Sequence, residues 1–424
     1  MDNYSIVLLL LGIMMALSAV ADKIKLSSPI LLIVGGIGLG FIPGLPPIEL
    51  NPEVVLLIFL PPLLYDAAFN ISFKSFKVNI NTIGTLAIGL VFLTASGIAA
   101  FAYFFIPGMT WPMAFVLGAI LSATDAVAAI SITKGLGLSH TTTTILEGES
   151  LVNDASALVA YRFAVAAVTG TAFVVWKASL IFLGLIGGGV LIGMVAGRVL
   201  GFTLRSVREN SLVAISFTLL APFITYLVAE EFHVSGVIAV VILGLSISRL
   251  SAMRFPESIR HQSKNIWDII IFLLNGFIFI LIGLEFPIVI RSIDKGMIWS
   301  YIGYALLITI AALVLRMARV FLQKVNLQRA FTSQKRKIPE AALLTFQECM
   351  IIGWSGMRGI VSLAIAIGLP KTLKNGEAFP MRSEIIFIST VVVLFTIVGQ
   401  GLTLPWIVRH LKAKHPEQAI KVHQ

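Results

Sequence analysis

Apolar residues run along this chain in long blocks separated by short polar or basic intervals. That is the pattern of helices crossing a bilayer, not of helices hiding one face in a soluble core. The blocks fall at about 4–20, 27–42, 53–67, 82–106, 112–133, 143–168, 178–203, 211–229, 235–249, 266–290, 298–322, 341–369 and 384–408. They predict an all-α polytopic membrane protein with about 13 transmembrane helices. A transmembrane domain is expected over 1–413 and a short cytoplasmic tail over 414–424.

Composition agrees. With 58% hydrophobic and 12% charged residues in 424, and a mean hydropathy of +0.97, the chain cannot build a soluble surface. A net charge of +10 would suggest a nucleic-acid partner in a soluble protein, so the placement of the basic residues decides. They fall on alternate sides. One side receives only Lys177, Arg291, Lys295, Lys371, Lys374 and Arg382; Arg162 and Arg358 lie within predicted helices. The rest, Arg316 and Arg319 included, fall in intervals on the other side. Cytoplasmic loops are the basic ones, so the expectation is an external N-terminus and a cytoplasmic C-terminus, with no nucleic acid bound. Residues 6–20 lack a basic n-region, and Lys23 and Lys25 follow them, which favours a retained first helix over a signal peptide. The single cysteine, Cys349, excludes an internal disulfide, and the six scattered histidines form no ligand pair on one helical face.

Polar residues interrupt the fifth block at Ser122-Ala123-Thr124-Asp125 and the twelfth at Gly353-Trp354-Ser355-Gly356-Met357-Arg358-Gly359. An odd offset of seven blocks means that equivalent helices run in opposite directions. That is the arithmetic of two inverted six-helix repeats, about 1–170 and 211–410, joined by a linking helix at about 178–203. Secondary transporters place substrate where such paired discontinuous helices meet.

A charge at the bilayer centre costs about 2.5–3.5 kcal/mol on insertion scales, so each one calls for a partner or a function. The sixth block carries Glu147-Gly148-Glu149-Ser150-Leu151-Val152-Asn153-Asp154, and the fifth carries Thr124-Asp125. Ser150 with Asp154, and Glu149 with Asn153, share adjoining faces at helical spacing. Together with carbonyls freed by a helix break, these make an oxygen-only set suited to hard monovalent cations. Glu147 reads as an acid near a helix start, favoured by the dipole; Asp154 lies deep in an apolar segment and reads as functional. Asp125 fits either a ligand or a cap on a half-helix. Two readings are open for Arg358: an interhelical pair with Glu149, or a counter-charge for the negative end of the break. Asp66 reads as an interfacial acid, Arg162 as snorkelling or locally paired, and Glu285, Glu230 and Glu231 as groups near the external face.

Three motifs in register now carry a resemblance: Thr124-Asp125-Ala126-Val127-Ala128, Glu149-Ser150-Leu151-Val152-Asn153-Asp154 and Gly356-Met357-Arg358-Gly359, with Leu60-Pro61-Pro62-Leu63-Leu64 beside them. The chain resembles the sodium/proton antiporters of the NhaP and NHE branch. The resemblance implies a homodimeric antiporter in the cell membrane, with a scaffold and a mobile core carrying the crossed helices. It implies cation ligation by Asp154, Ser150, Thr124 and Asp125, with Asp154 exchanging cation for proton. It makes Asn153, Glu149 and Arg358 supporting residues, and Asn153, standing where electrogenic relatives carry a second aspartate, implies electroneutral exchange. Ala126 departs from the proline many members have, so the break in the fifth helix is less firmly encoded.

The expected activity is therefore Na+ or Li+ exchange for H+ by alternating access, serving pH homeostasis, with no cofactor beyond the transported ions. A carboxylate withdrawn from water competes for protons well above its reference of about 3.9, which lets one group hold either ion in turn. A K+/H+ antiporter of the same fold and a cation channel are the alternatives. No nucleotide loop, His-based metal motif or nucleophile elbow supports an enzyme.

Overall fold

In a computed structural model, residues 3–24, 26–42, 52–133, 135–170, 175–207, 210–254, 257–333, 338–373 and 376–413 are described. The expected tail at 414–424 and the basic residues Lys25, Lys134, Arg208, Lys335, Arg336, Lys337 and Lys374 lie outside them. The described residues are helical almost throughout, and their only strand-like feature is an isolated bridge between Thr372 and Ala378.

The helices are α1 (Asn3–Ile24), α2 (Ser28–Gly40), α3 (Pro52–Asn70), α4 (Phe73–Gly84), α5 (Val91–Phe105), α6 (Trp111–Ile120), α7 (Ala126–Thr133), α8 (His140–Val168) and α9 (Val175–Ser206). There follow α10 (Ser211–Glu231), α11 (Gly236–Arg254), α12 (Glu257–Arg291), α13 (Ile298–Thr332), α14 (Phe346–Trp354), α15 (Ile360–Ile367), α16 (Arg382–Leu394) and α17 (Gly401–Ala413). A π-helical turn at Thr85–Leu90 joins α4 to α5, and another at Phe395–Gln400 joins α16 to α17. Among the described residues, seven helical runs are long and apolar enough to cross a membrane, and five shorter apolar helices accompany them.

Boundaries differ from the sequence expectation where polar residues extend a helix beyond the bilayer. The fourth block was expected from residue 82, but α4 starts at Phe73, because Lys74, Lys77 and Asn79 lie in an amphipathic first half capped by Ser72. α13 has 35 residues, roughly 52 Å of helix against about 30 Å of hydrocarbon, so it runs past the expected end at 322, and Lys324 and Arg329, expected in a loop, are helical. Arg316 and Arg319, assigned to the same loop by charge, lie inside the 298–322 block. Arg316 is 2% exposed and lies within the bundle.

Packing sorts the helices. α2 lies along α12, where Gly36 and Gly283 face each other so closely that a Cβ on Gly283 would stand 2.9 Å from the Gly36 Cα. α9, α10, α11 and α3 pack in sequence beside them. α8 packs against α4, α6 and the first π turn, and α13 packs on α5, α14 and α16. α7 and α15, the second halves of the interrupted helices, run between these two groups and touch α8 and α3 respectively.

Candidate functional site

Both expected interruptions are present. α6 stops at Ile120 and α7 starts at Ala126; α14 stops at Trp354 and α15 starts at Ile360. Each break frees carbonyls at one half-helix end and N–H groups at the next, and buried backbone groups must be satisfied. The two breaks satisfy each other in part: the Asp125 N–H donates to the Met357 carbonyl at 2.7 Å. Asp125 Oδ1 accepts the N–H groups of Val127 at 2.8 Å and Ala128 at 3.2 Å, capping α7. This carboxylate does what a proline at position 126 was expected to do, so Ala126 leaves the break intact. Gly359 makes room for it, since a Cβ there would overlap the Asp125 carboxylate.

Arg358 sits at the same crossing, 1% exposed. Its Nε donates to the Leu121 carbonyl at 3.0 Å and its Nη1 to the Gly356 carbonyl at 2.5 Å. Of the two sequence readings, the structure selects the counter-charge to freed carbonyls and corrects the pairing with Glu149. Glu149 instead binds Arg316 of α13 through both carboxylate oxygens: Nη1 to Oε1, and Nη2 to Oε2 at 2.9 Å. The Arg316 Nε donates to the Ile352 carbonyl at 3.1 Å, tying the pair to the end of α14. The signal that would have revealed Arg316 lies in the sequence: it falls within the apolar block 298–322, as Arg358 falls within 341–369.

From Glu149 the network runs on to the fifth helix. The Thr124 hydroxyl donates to Glu149 Oε1 at 3.1 Å and accepts from Asn153 Nδ2 at 2.6 Å. Asn153 Nδ2 also donates to the Thr124 carbonyl at 3.2 Å, as does the Ser150 hydroxyl, also at 3.2 Å. Ser150 Oγ accepts the Ala126 N–H at 3.4 Å, which leaves it one lone pair.

Asp154 stands apart from this network. It is 6% exposed, and among the described residues its carboxylate takes no hydrogen bond. It borders a cavity of about 210 Å³ together with Thr124, Asp125 and Ser150, so the four expected ligands face one space. Asp66, Asn70 and Glu147 line the same cavity, which sequence reasoning missed. For Glu147 the reason is a helix boundary. α8 starts at His140, with Ser139 accepting the Thr142 N–H at 3.1 Å, so Glu147 lies two turns in, beyond reach of the dipole. Glu147, Ser150, Leu151 and Asp154 then form one stripe at helical spacing. Beyond Asp154 the same face of α8 carries Leu158 and Tyr161, packed into an apolar cluster with Phe286, Ile290, Ile365 and Leu369. The Tyr161 hydroxyl donates to the Gly368 carbonyl at 3.5 Å, and Arg382 caps the end of α15 through the carbonyls of Ile367 and Leu369, both at 2.9 Å. Arg162 pairs with Glu230 of α10 at 3.4 Å.

An all-helical bundle of apolar helices, with two interrupted helices whose breaks meet at a buried carboxylate, is the build of a secondary transporter. Residues 6–410 match the family described as sodium/hydrogen exchanger, transmembrane, and the chain belongs to that family. It is a multi-pass membrane protein. It is 34% identical over 387 residues to the uncharacterized Na(+)/H(+) exchanger YjcE of Escherichia coli, covering 88% of this chain and 70% of that one. It is also 34% identical over 417 residues to the sodium, potassium, lithium and rubidium/H(+) antiporter of Bacillus pumilus, covering 96% of this chain and 61% of the relative. In three dimensions it resembles the sodium proton antiporter MjNhaP1 of Methanocaldococcus jannaschii, with a TM-score of 0.71 over 96% of this chain and 98% of that one, at 20% identity. The fold is that antiporter fold.

Proposed function

We propose that the chain exchanges one Na+ or Li+ for one H+ across the cell membrane, with Asp154 holding either ion in turn. One observation carries this reading: a carboxylate 6% exposed and without a hydrogen bond among the described residues, beside a cavity that it shares with Asp125, Ser150 and Thr124. Every other acid of the crossing is engaged, so Asp154 is the group free to take a cation or a proton. Asp125, which caps α7, and the remaining lone pairs of Ser150 and Thr124 complete an oxygen set for a small hard cation. Asn153, Glu149 and Arg358 hold that set in place. No cofactor takes part beyond the transported ions.

Because Asp154 takes up one positive charge in either form, the occupied site has the same net charge in both directions, so exchange is electroneutral and insensitive to voltage. The empty anionic site cannot cross the barrier uncompensated, which couples the two fluxes. Alternating access moves the body carrying α7, α8 and α15 against the one carrying α3 and α12, since these are the cavity walls. The chain crosses the membrane thirteen times as two inverted repeats, its N-terminus external and its C-terminus cytoplasmic, and works as a homodimer. A K+/H+ antiporter is the second reading, favoured by the ions in the Bacillus pumilus relative's name. A channel would need a continuous path, whereas apolar packing lies beyond Asp154.

The test is proton movement in proteoliposomes driven by Na+, Li+ and K+ gradients, with and without an imposed potential. Asp154→Asn should abolish it. In the unaltered protein, competition requires the apparent KM for Na+ to rise about tenfold per unit of falling pH on the protonated side of the titration. Undiminished exchange in Asp154→Asn, or a KM indifferent to pH, would overturn the assignment.

A further inference from the structure

We infer that Thr396, in the π-helical turn between α16 and α17, is a positioning residue for the cation site, an inference that rests on the exchange reading above. One peptide unit, the Met357 carbonyl with the Arg358 N–H, joins the two helix breaks. Its oxygen accepts the Asp125 N–H at 2.7 Å. Its N–H donates to Thr396 Oγ1 at 3.1 Å. The hydroxyl proton of Thr396 is already committed to the Val393 carbonyl at 3.0 Å, so toward Arg358 the oxygen can only accept. Thr396 is fully buried, so water cannot replace it.

The peptide is thus held at both poles, and the chain of contacts runs from Thr396 through the peptide to the backbone of Asp125, whose carboxylate borders the cavity. Accepting the N–H polarises the amide and makes its carbonyl a better acceptor for Asp125. The π turn is what supplies the hydroxyl. A wider turn shifts the register of a helix locally, and such turns recur at functional sites because they turn a side chain toward a place a regular helix would miss. Thr396 is the second residue of this turn.

The experiment compares Thr396→Val, Thr396→Ser and Thr390→Val in proteoliposomes, measuring apparent KM for Na+ and maximal rate across pH. Thr390 is the matched control: a fully buried threonine on α16 whose hydroxyl donates to the Ile386 carbonyl at 2.8 Å, within its own helix. Thr396→Val leaves the Arg358 N–H buried and unpaired, and should raise KM about tenfold, with maximal rate changed less than about threefold. Thr396→Ser should restore KM to within about twofold, and Thr390→Val should leave it within about twofold. If Thr396→Val does not elute as a folded protein, Thr396→Ala replaces it with the same expectation. A wild-type KM in Thr396→Val or in the Thr396→Ala that replaces it, an equal effect at Thr390, or no rescue by serine would each overturn the inference. If the unaltered protein moves no protons in these vesicles, it is the exchange reading that fails.

Discussion

Arg316 and Arg358 are both buried, at 2% and 1% exposure, and do different work. Arg316 reaches Glu149 because Gly356 has no side chain, a Cβ there overlapping the Arg316 stem. Arg358 points at carbonyls that the breaks leave open. Breaking a buried pair by removing one partner costs about 3–5 kcal/mol, because the survivor is left uncompensated. Glu149→Gln and Arg316→Gln should therefore each lower the unfolding temperature in detergent sharply, with the double substitution losing clearly less than the sum. Glu149→Gln with Arg358→Gln should come much closer to additive; the opposite pattern would restore the pairing expected from sequence. The cavity-lining residues Asp125, Ser150 and Asp154 were legible because polar residues stand out in an apolar block. The partner of Glu149 was not, because a sequence gives the face a side chain occupies and not which distant helix meets that face.

At the scale of elements, the two interruptions were legible to within a few residues, whereas their chemistry was not. The N–H to carbonyl bond between Asp125 and Met357 is a backbone contact that no residue type announces. Nor do the π turns show, since Thr85–Leu90 and Phe395–Gln400 read as ordinary apolar helix. Gly359 links the breaks sterically, and Gly359→Ala should push the Asp125 carboxylate off α7 and out of the cavity wall. The expected result is a loss of Na+-driven proton movement of at least about tenfold. Gly84→Ala is the contrast: nothing lies within 4 Å of the added methyl, so it should leave exchange intact and add about 0.5–1 kcal/mol of helix stability. Equal activity in the two variants would show that the fit at Gly359 has no bearing on transport.

Over the whole molecule, the cavity runs from Asp66 and Glu147 to Asp154, and apolar packing closes it beyond that residue. Across the closed end, Arg162 of α8 meets Glu230 of α10, whose other oxygen accepts the Gly236 N–H at 3.4 Å where α11 begins. The pair is half exposed and weak in itself, but it joins the helix that bears Asp154 to α10, which packs on α3 of the opposing body. Cysteines placed at both positions and joined by a short bifunctional reagent should halt exchange, while a monofunctional reagent on the same variant should leave it running. Full activity in the cross-linked protein would mean that α8 and α10 do not part during transport. That the chain is an all-helical multi-pass membrane protein was legible from hydropathy alone. Which end is shut was not, because closure depends on side chains from α8, α12 and α15 meeting in space.

Cys349 is the chain's single thiol and is fully buried against α13 and α14 neighbours such as Val320 and Ile352. A protein sealed in this way is a ready blank for spin labels and fluorophores. Reporters can be attached in pairs and their separations followed through a transport cycle, without first stripping the native sequence.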